Sequence, residues 1–490
     1  MHFFGTEFHL FPVLRNYLKI AGRNLRRHKT YAVVNIVGLA LGIACCVLLA
    51  LFVGSEWTYD QFHEKSDRIV RVNRVVTTPA GDTETESSTP APLGPSLTQS
   101  FPEVEASVRL SDKSVRLTRN DETVTARALF ADSSFFDVFS FPVKQGHPKP
   151  SFAGAGGIVL SESAARTYLG SENPIGASLT VQIEDEIVEV PVAGVVADPP
   201  SRSSIQFDVL LPFELYKYNF SGIMREAAFQ RWDVPVASTL ALLRQSGQAA
   251  ALEEKLKSFA ADRFGSSSSG GENDLEIRTG EKNVQLALQP LPDVHLSLEV
   301  VPTALTAPRD PVYSYVLAGA ALLVLLIGGI NFTTLSLGRS ADRAQEVGVR
   351  KALGARRGQV RAQFWGEAVL TSGAALLLGL GLAALFLPTF NQMTGADLHF
   401  HLTPAVGLGL LGLVGIVSLL AGSYPALVLS RFDAVSILRG SAQIGGRSTL
   451  VRGLVVLQFA LSMGLVVAAF VMTDQLDYMQ DNLGFRTEQV

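Results

Sequence analysis

Few residues in this 490-residue chain combine types and spacings that could do chemistry. His63 is followed by Glu64, the opening of an H-E-x-x-H zinc-hydrolase helix, but position 67 is Asp67 and the second histidine is missing, so this is a chance match. His399 and His401 flank Phe400; two nearby histidines could ligate a metal, but two ligands alone make a poor case. Cys45 and Cys46 are adjacent within an apolar run, where they pack as small apolar residues and cannot staple a distant domain. No G-x-x-x-x-G-K-[ST] phosphate loop and no G-x-S-x-G nucleophile elbow occurs. These absences leave no catalytic constellation, no cofactor-binding residue and no metal site to assign.

The segment with the most chemical character is 343–355, RAQEVGVRKALGA, and its chemistry is electrostatic. Glu346 and Arg350 are four apart in the favourable order for a helical ion pair, worth about 0.2–0.5 kcal/mol. Gly354 is expected to end or bend this helix, and 356–361 to begin the next. Burying one Arg or Lys at mid-bilayer costs about 2.5–3.5 kcal/mol, so the segment must face water or a soluble partner. Arg350 and Lys351 are the best candidates for docking on such a partner. The plainer reading is that they hold the preceding helix in register at the headgroups.

The elements that position this segment are membrane helices. Mean hydropathy is +0.26 and only 18% of residues are charged, too apolar for an ordinary soluble protein. Crossing a hydrocarbon core of about 30 Å takes roughly 20 apolar helical residues. Five stretches meet that length, at 31–54, 312–338, 368–388, 404–429 and 450–473. The first is too long for a signal-peptide h-region and lacks a small-residue cleavage site. Between the first two stretches, 55–311 has ordinary soluble composition. The expected fold is therefore an α-helical membrane protein of five transmembrane helices, with a large α+β extracytoplasmic domain inserted between helices 1 and 2.

Basic residues orient it. Arg15, Lys19, Arg23, Arg26, Arg27 and Lys29 precede the first span, and the 339–367 loop carries seven Lys/Arg. The 430–449 loop and its flank carry Arg431, Arg439, Arg447 and Arg452, while 388–403 has none. Lys/Arg-rich short loops stay cytoplasmic. The amino terminus is thus expected inside and 55–311 outside. Residues 13–30 are amphipathic, with Val13, Leu14, Tyr17, Leu18, Ala21 and Leu25 on one face, and should lie in the inner lipid interface. The basic residues map to membrane edges and not to an aromatic-interleaved face, which gives nucleic-acid binding no support.

The polar residues that stand out within the spans are Asn35, Asn331, Thr333, Thr334 and Ser336, and no Asp, Glu, Lys or Arg lies in the middle of a span. That argues against proton or sodium coupling. Gly38 and Gly42 form a G-x-x-x-G pair suited to close helix contact, and Asn331 reads as an interhelical packing residue. In the insertion, 69–76, 107–117, 123–130, 179–183 and 188–196 read as strands by β-branched content and period two, and 161–168 and 248–264 as helices. Residues 265–273, GSSSSGGEN, read as a flexible surface loop.

The order of elements, with EVGVRKALGA after the second span and YPALVLSRFDAVSILRG at 424–440, resembles the FtsX/MacB-type permeases of ABC transporters. Within the insertion, FADSSFFDVFSFPVKQG (130–146), GIVLSESAARTYLGSENPIGASL (157–179), VAGVVADPPSRSSIQFDVLLPF (192–213) and LQPLPDVHLS (288–297) look like that family's periplasmic core domain. The resemblance implies a non-catalytic permease subunit in the cell inner membrane. It carries no cofactor of its own; ATP belongs to a cytosolic ABC-type ATPase partner whose motion the permease passes to the periplasmic domain. It further implies contact with membrane lipids, a periplasmic adaptor or substrate protein, and a dimer or pseudo-dimer. Glu346, Gly348, Arg350, Lys351, Gly354 and Ala355 fall by motif in the segment that meets the ATPase. A single family unit has four spans; here the fifth span and 474–490 look like the start of a second unit of a longer, double-unit permease. The rival reading, a membrane-anchored sensor with a ligand-binding outer domain, lacks an inner segment long enough to be an output domain.

Overall fold

A computed structural model describes residues 29–77, 81–119, 122–152, 156–170, 173–264, 283–298, 300–301, 305–338, 340–400, 403–429 and 447–482. Two compact units are present: Gly54–Ser314 is one, and Met1–Val53 with Tyr315–Val490 is the other. Of the amphipathic stretch expected at 13–30, residues 13–28 lie outside the described residues, as do the 265–273 loop and 430–446.

The unit Gly54–Ser314 is α+β, built on a continuous sheet. Its central strand, Val104–Arg119, pairs antiparallel with Glu122–Ala131 on one side and with Pro235–Leu243 on the other. Each of the five expected strands lies inside an observed one, and the expected helices appear as Glu162–Leu169 and Ala249–Phe264. Strands that sequence reading did not anticipate include Ile158–Ser161, Val209–Pro212 and Pro235–Leu243. The first two are buried at every position and the third at all but its first residue. A strand covered on both faces loses the polar–apolar alternation that betrays half-buried strands. Two of these pairings are parallel: Ile158–Ser161 runs with Glu186–Val196, and Val209–Pro212 with Glu122–Ala131.

Directional contacts fix this unit. Helix Glu162–Leu169 starts where Ser161 Oγ accepts from Ala164 N at 3.2 Å, a side-chain N-cap. Asp132 takes Arg109 in a fork, Nη2 to Oδ1 at 2.6 Å and Nε to Oδ2 at 2.9 Å, and the guanidinium lies 4.2 Å from the Phe213 ring centre. The Phe-rich run after Asp132 is core: Phe135 stacks on Phe141, and both meet Phe207 edge-on. His63 belongs to the same cluster, packed against Phe62, Phe139 and Phe141, with Nδ1 accepting from Ser140 N at 3.1 Å. Burial drives its pKa down to about 4. It is a neutral core histidine.

The other unit is helical: Lys29–Trp57, Pro311–Gly338, Ser340–Ala352, Arg357–Thr394, Pro404–Leu429 and Arg447–Asn482, with the ends of the first two running into the sheet-bearing unit. Among the described residues four helices, at Lys29–Trp57, Pro311–Ser336, Arg357–Thr394 and Val451–Gln475, are long and apolar enough to cross a bilayer. In Pro404–Leu429 the stretch Pro404–Leu419 is apolar as well. The boundary expected at 388 shifts: the helix continues through Pro388 to Thr394 and ends at Gly395 in the left-handed region. Pro388 has no N–H to donate to Ala384 O, so the helix carries one missing backbone bond at that turn. Likewise the last helix starts at Arg447, inside the expected 430–449 loop, and runs to Asn482, inside the 474–490 region.

Candidate coupling site

The segment 346–363 forms an elbow between two helices. Helix Ser340–Ala352 ends in a Schellman arrangement: Ala355 N donates to Arg350 O at 3.0 Å, Gly354 N to Lys351 O at 3.0 Å, and Gly354 has φ +93°. A residue with a Cβ is disfavoured there, and nothing but backbone conformation demands the glycine, since a Cβ would meet open space. Helix Arg357–Thr394 then starts with Gln359 Oε1 accepting from Arg356 N at 3.0 Å.

Arg350 links the two arms. Its Nη2 donates to Glu346 Oε1 at 2.5 Å, and its Nη1 donates to Gln363 Oε1 on the next helix. The i,i+4 pair itself is half-exposed and contributes a few tenths of a kcal/mol. The bond to Gln363 matters more, because it ties together elements that only a short turn otherwise connects. Sequence reading offered Arg350 for docking; the structure occupies its guanidinium inside the chain. Val347 and Gly348 are buried on the inner face of the elbow helix. Glu346, Val349 and Leu353 lie on its exposed side, Leu353 at 83% exposure. Lys351 and Ala355 are half-buried beside them. An apolar pair at i, i+4 with charged neighbours is suited to insertion into a groove on a folded partner.

Behind the elbow, helix packing rests on small residues. A Cβ on Gly38 would come within 3.3 Å of Asn331 Nδ2, and one on Gly42 within 3.5 Å of Val324 O, so both glycines of the G-x-x-x-G pair face helix Pro311–Gly338. Gly379 is tighter still, with Ala40 O at 2.9 Å and Ile43 Cβ at 3.0 Å from the position of its missing Cβ. Sequence reading missed the polar residues of this packing. Glu367, Thr371 and Ser372 lie on the buried face of helix Arg357–Thr394, and Ser418 is buried on Pro404–Leu429. Glu367 sits one position before the expected start of the third span, so an ionisable group does enter the packed helix face. The Asn35 amide and the Ser372 and Ser418 hydroxyls have no hydrogen-bond partner among the described residues. Among the described residues no group of three His, Cys, Asp or Glu could hold a metal; His399 pairs with Asp397 on the surface, and His401 lies outside the described residues.

Comparison with known proteins adds to this geometry. Residues 32–259 match the family described as MacB-like periplasmic core domain, and 318–434 match FtsX-like permease C-terminal. The chain is 24% identical over 441 residues to the macrolide export ATP-binding/permease protein MacB of Wolinella succinogenes, covering 86% of this chain and 60% of that protein. It is 26% identical over 441 residues to the protein of the same name from Rhodospirillum rubrum, with the same coverage. Over 127 residues, 26% of this chain and 19% of the relative, it is 33% identical to MacB of Bdellovibrio bacteriovorus. The chain thus spans about 60% of the length of the first two relatives.

Proposed function

Because this chain belongs to the FtsX/MacB-type family of ABC transporter permeases, we propose that it relays the work of a cytosolic ATPase to its outer domain. It is a multi-pass inner-membrane protein with an extracytoplasmic domain. In this reading it has five crossings, its amino terminus faces the cytosol, ATP is bound and hydrolysed by an ABC-type partner, and the permease does no chemistry. The cargo, an antibiotic, peptide or lipoprotein, is expelled or released outside the membrane by motion of the 54–314 domain.

The observation that carries this reading is the elbow. A charged helix, stopped by Gly354 and braced to the next helix through Arg350 and Gln363, presents Val349 and Leu353 outward. A rigid, short lever with an apolar tip suits transmission of a push better than a flexible loop. Arg350 stiffens the lever, while Val349, Leu353 and Lys351 meet the motor. Co-purification with the ATPase encoded beside it tests this. Val349→Asp with Leu353→Asp should weaken association by about tenfold or more, as loss of a central apolar anchor does. Unchanged association of that double variant, with the protein normally inserted, would remove the elbow from the ATPase interface.

A further inference from the structure

A second polar cluster lies at the base of the outer unit, where its chain enters and leaves. Glu56 is in the last turn of helix Lys29–Trp57, and its side chain is 8% exposed. One of its oxygens, Oε2, is 3.0 Å from His295 Nε2; the other, Oε1, accepts from Arg309 Nη1 at 3.0 Å. Arg309 stands two residues ahead of helix Pro311–Gly338, and its backbone N donates to His295 O at 2.7 Å. A carboxylate can only accept, so His295 Nε2 carries the proton of this contact. The His295 ring stacks on Tyr59 with centroids 3.5 Å apart.

The cluster also grips the 201–206 loop. Tyr59 Oη donates to Ser201 O at 3.0 Å, and Asp60 N to Arg202 O at 3.0 Å. Asp60 Oδ1 accepts from Ser204 N at 2.8 Å and from Ser203 Oγ at 3.3 Å, while Thr306 N donates to Ser204 O at 2.9 Å. Three segments, 56–60, 201–206 and 295–309, are thereby bonded into one knot. Such a knot gains little net free energy over an apolar packing, since desolvating the charges offsets their attraction. What it does hold is a single geometry: removing one partner leaves a buried charge unanswered, so partial opening is penalised.

We infer that Glu56, His295 and Arg309 form a clasp that locks the exit of the first membrane helix to the entry of the second, so both lead-ins move as one base of the outer domain. This rests on the relay function proposed above and names the residues through which the relay passes at the outer side. Without the clasp, each lead-in would follow its own helix, and displacement would dissipate in the joint.

The test uses the full chain in nanodiscs with its ATPase, in a Cys45→Ala, Cys46→Ala background, with nitroxide labels at Thr58→Cys and Val312→Cys. Both label sites are exposed. Without nucleotide, the parent should give one narrow distance distribution, and Arg309→Gln or Glu56→Gln should broaden it by about twofold or more. Arg309→Lys, which keeps a cation within reach of Glu56, should retain the narrow distribution with the same label pair, which excludes a general loss of fold as the cause. Narrow distributions in both single variants, or broad ones in the parent, would overturn the clasp. An ATP arm is separate: if ATP hydrolysis moves no outer-domain label in the parent, the relay function fails, whatever the nucleotide-free widths show.

Discussion

The outer unit and the membrane unit solve the same problem with different forces. In the Gly54–Ser314 unit, several charged side chains are paired directionally: Arg109 with Asp132, Arg74 with Glu86, Glu56 with His295 and Arg309. One cluster of its core is rich in phenylalanine, with Phe141 touching Phe135, Phe139 and Phe207. In the membrane unit, the closest contacts are between small residues and backbone, as at Gly379 against Ala40. Directional bonds specify one geometry. Small-residue faces let helix backbones approach closely where lipid supplies no hydrophobic drive between helices.

Four predictions probe that contrast, taken from the largest effect down. Phe135→Ala removes a fully buried ring from the aromatic cluster and should destabilise the outer unit by about 3–5 kcal/mol, read as a lowered midpoint in pulse proteolysis of the full chain. A loss below 1 kcal/mol would show the cluster to be loosely packed.

Next, Asp60 and His63 give opposed pH dependences in one unit. Desolvation raises the Asp60 pKa from 3.8 to about 6, so the folded state holds its proton more tightly than the unfolded chain. Its ionisation penalty is absent below about pH 4, grows between pH 4 and 6, and is complete above. His63, lowered from 6.5 to about 4, contributes stability that is present above pH 6.5 and lost as pH falls toward 4. Asp60→Asn should therefore stabilise the outer unit at pH 7 by on the order of 2 kcal/mol and leave a stability that climbs from pH 4 to 6.5. A flat or falling profile in that variant would contradict the assignment.

Third, Gly379→Ala should cost about 1–3 kcal/mol, because its Cβ meets backbone at 2.9 Å, whereas Gly373→Ala, facing open space, should be neutral. Cysteine cross-linking between helices Lys29–Trp57 and Arg357–Thr394 reads the difference; equal yields would mean the small-residue seam is not tight. The smallest effect is Asn35→Leu, expected to leave stability within about 1 kcal/mol of the parent, since no bond within the chain is lost. A large loss in thermal aggregation assays would show that Asn35 is satisfied in the native membrane.

What could be read from sequence follows the reach of each signal. The elbow was legible because its stop is local: Gly354 and the Glu346–Arg350 pair speak through spacings of a few residues. Strands with one exposed face were legible by alternation, and Ile158–Ser161 and Val209–Pro212 were not, being buried at every position. The clasp could not be seen, because Glu56 meets His295 and Arg309 across 239 and 253 positions, and each alone is an ordinary charged or polar residue near a membrane end. The motif 288–297 contains His295, yet nothing in its pattern names Glu56 as the partner. Ser372 and Ser418 were hidden for another reason: a serine in a Gly- and Ala-rich helix looks like one more small residue until its burial is known.

The central claim, that the elbow and the outer lobe lie on opposite sides of the membrane, is tested most directly by labelling intact cells with a membrane-impermeant maleimide. In the Cys45→Ala, Cys46→Ala background, Ile223→Cys on the outer unit and Leu353→Cys on the elbow are both highly exposed. The account predicts that Ile223→Cys labels in cells whose outer envelope alone is permeabilised, and that Leu353→Cys labels only after the inner membrane is opened. Labelling of both positions under the first condition would contradict it.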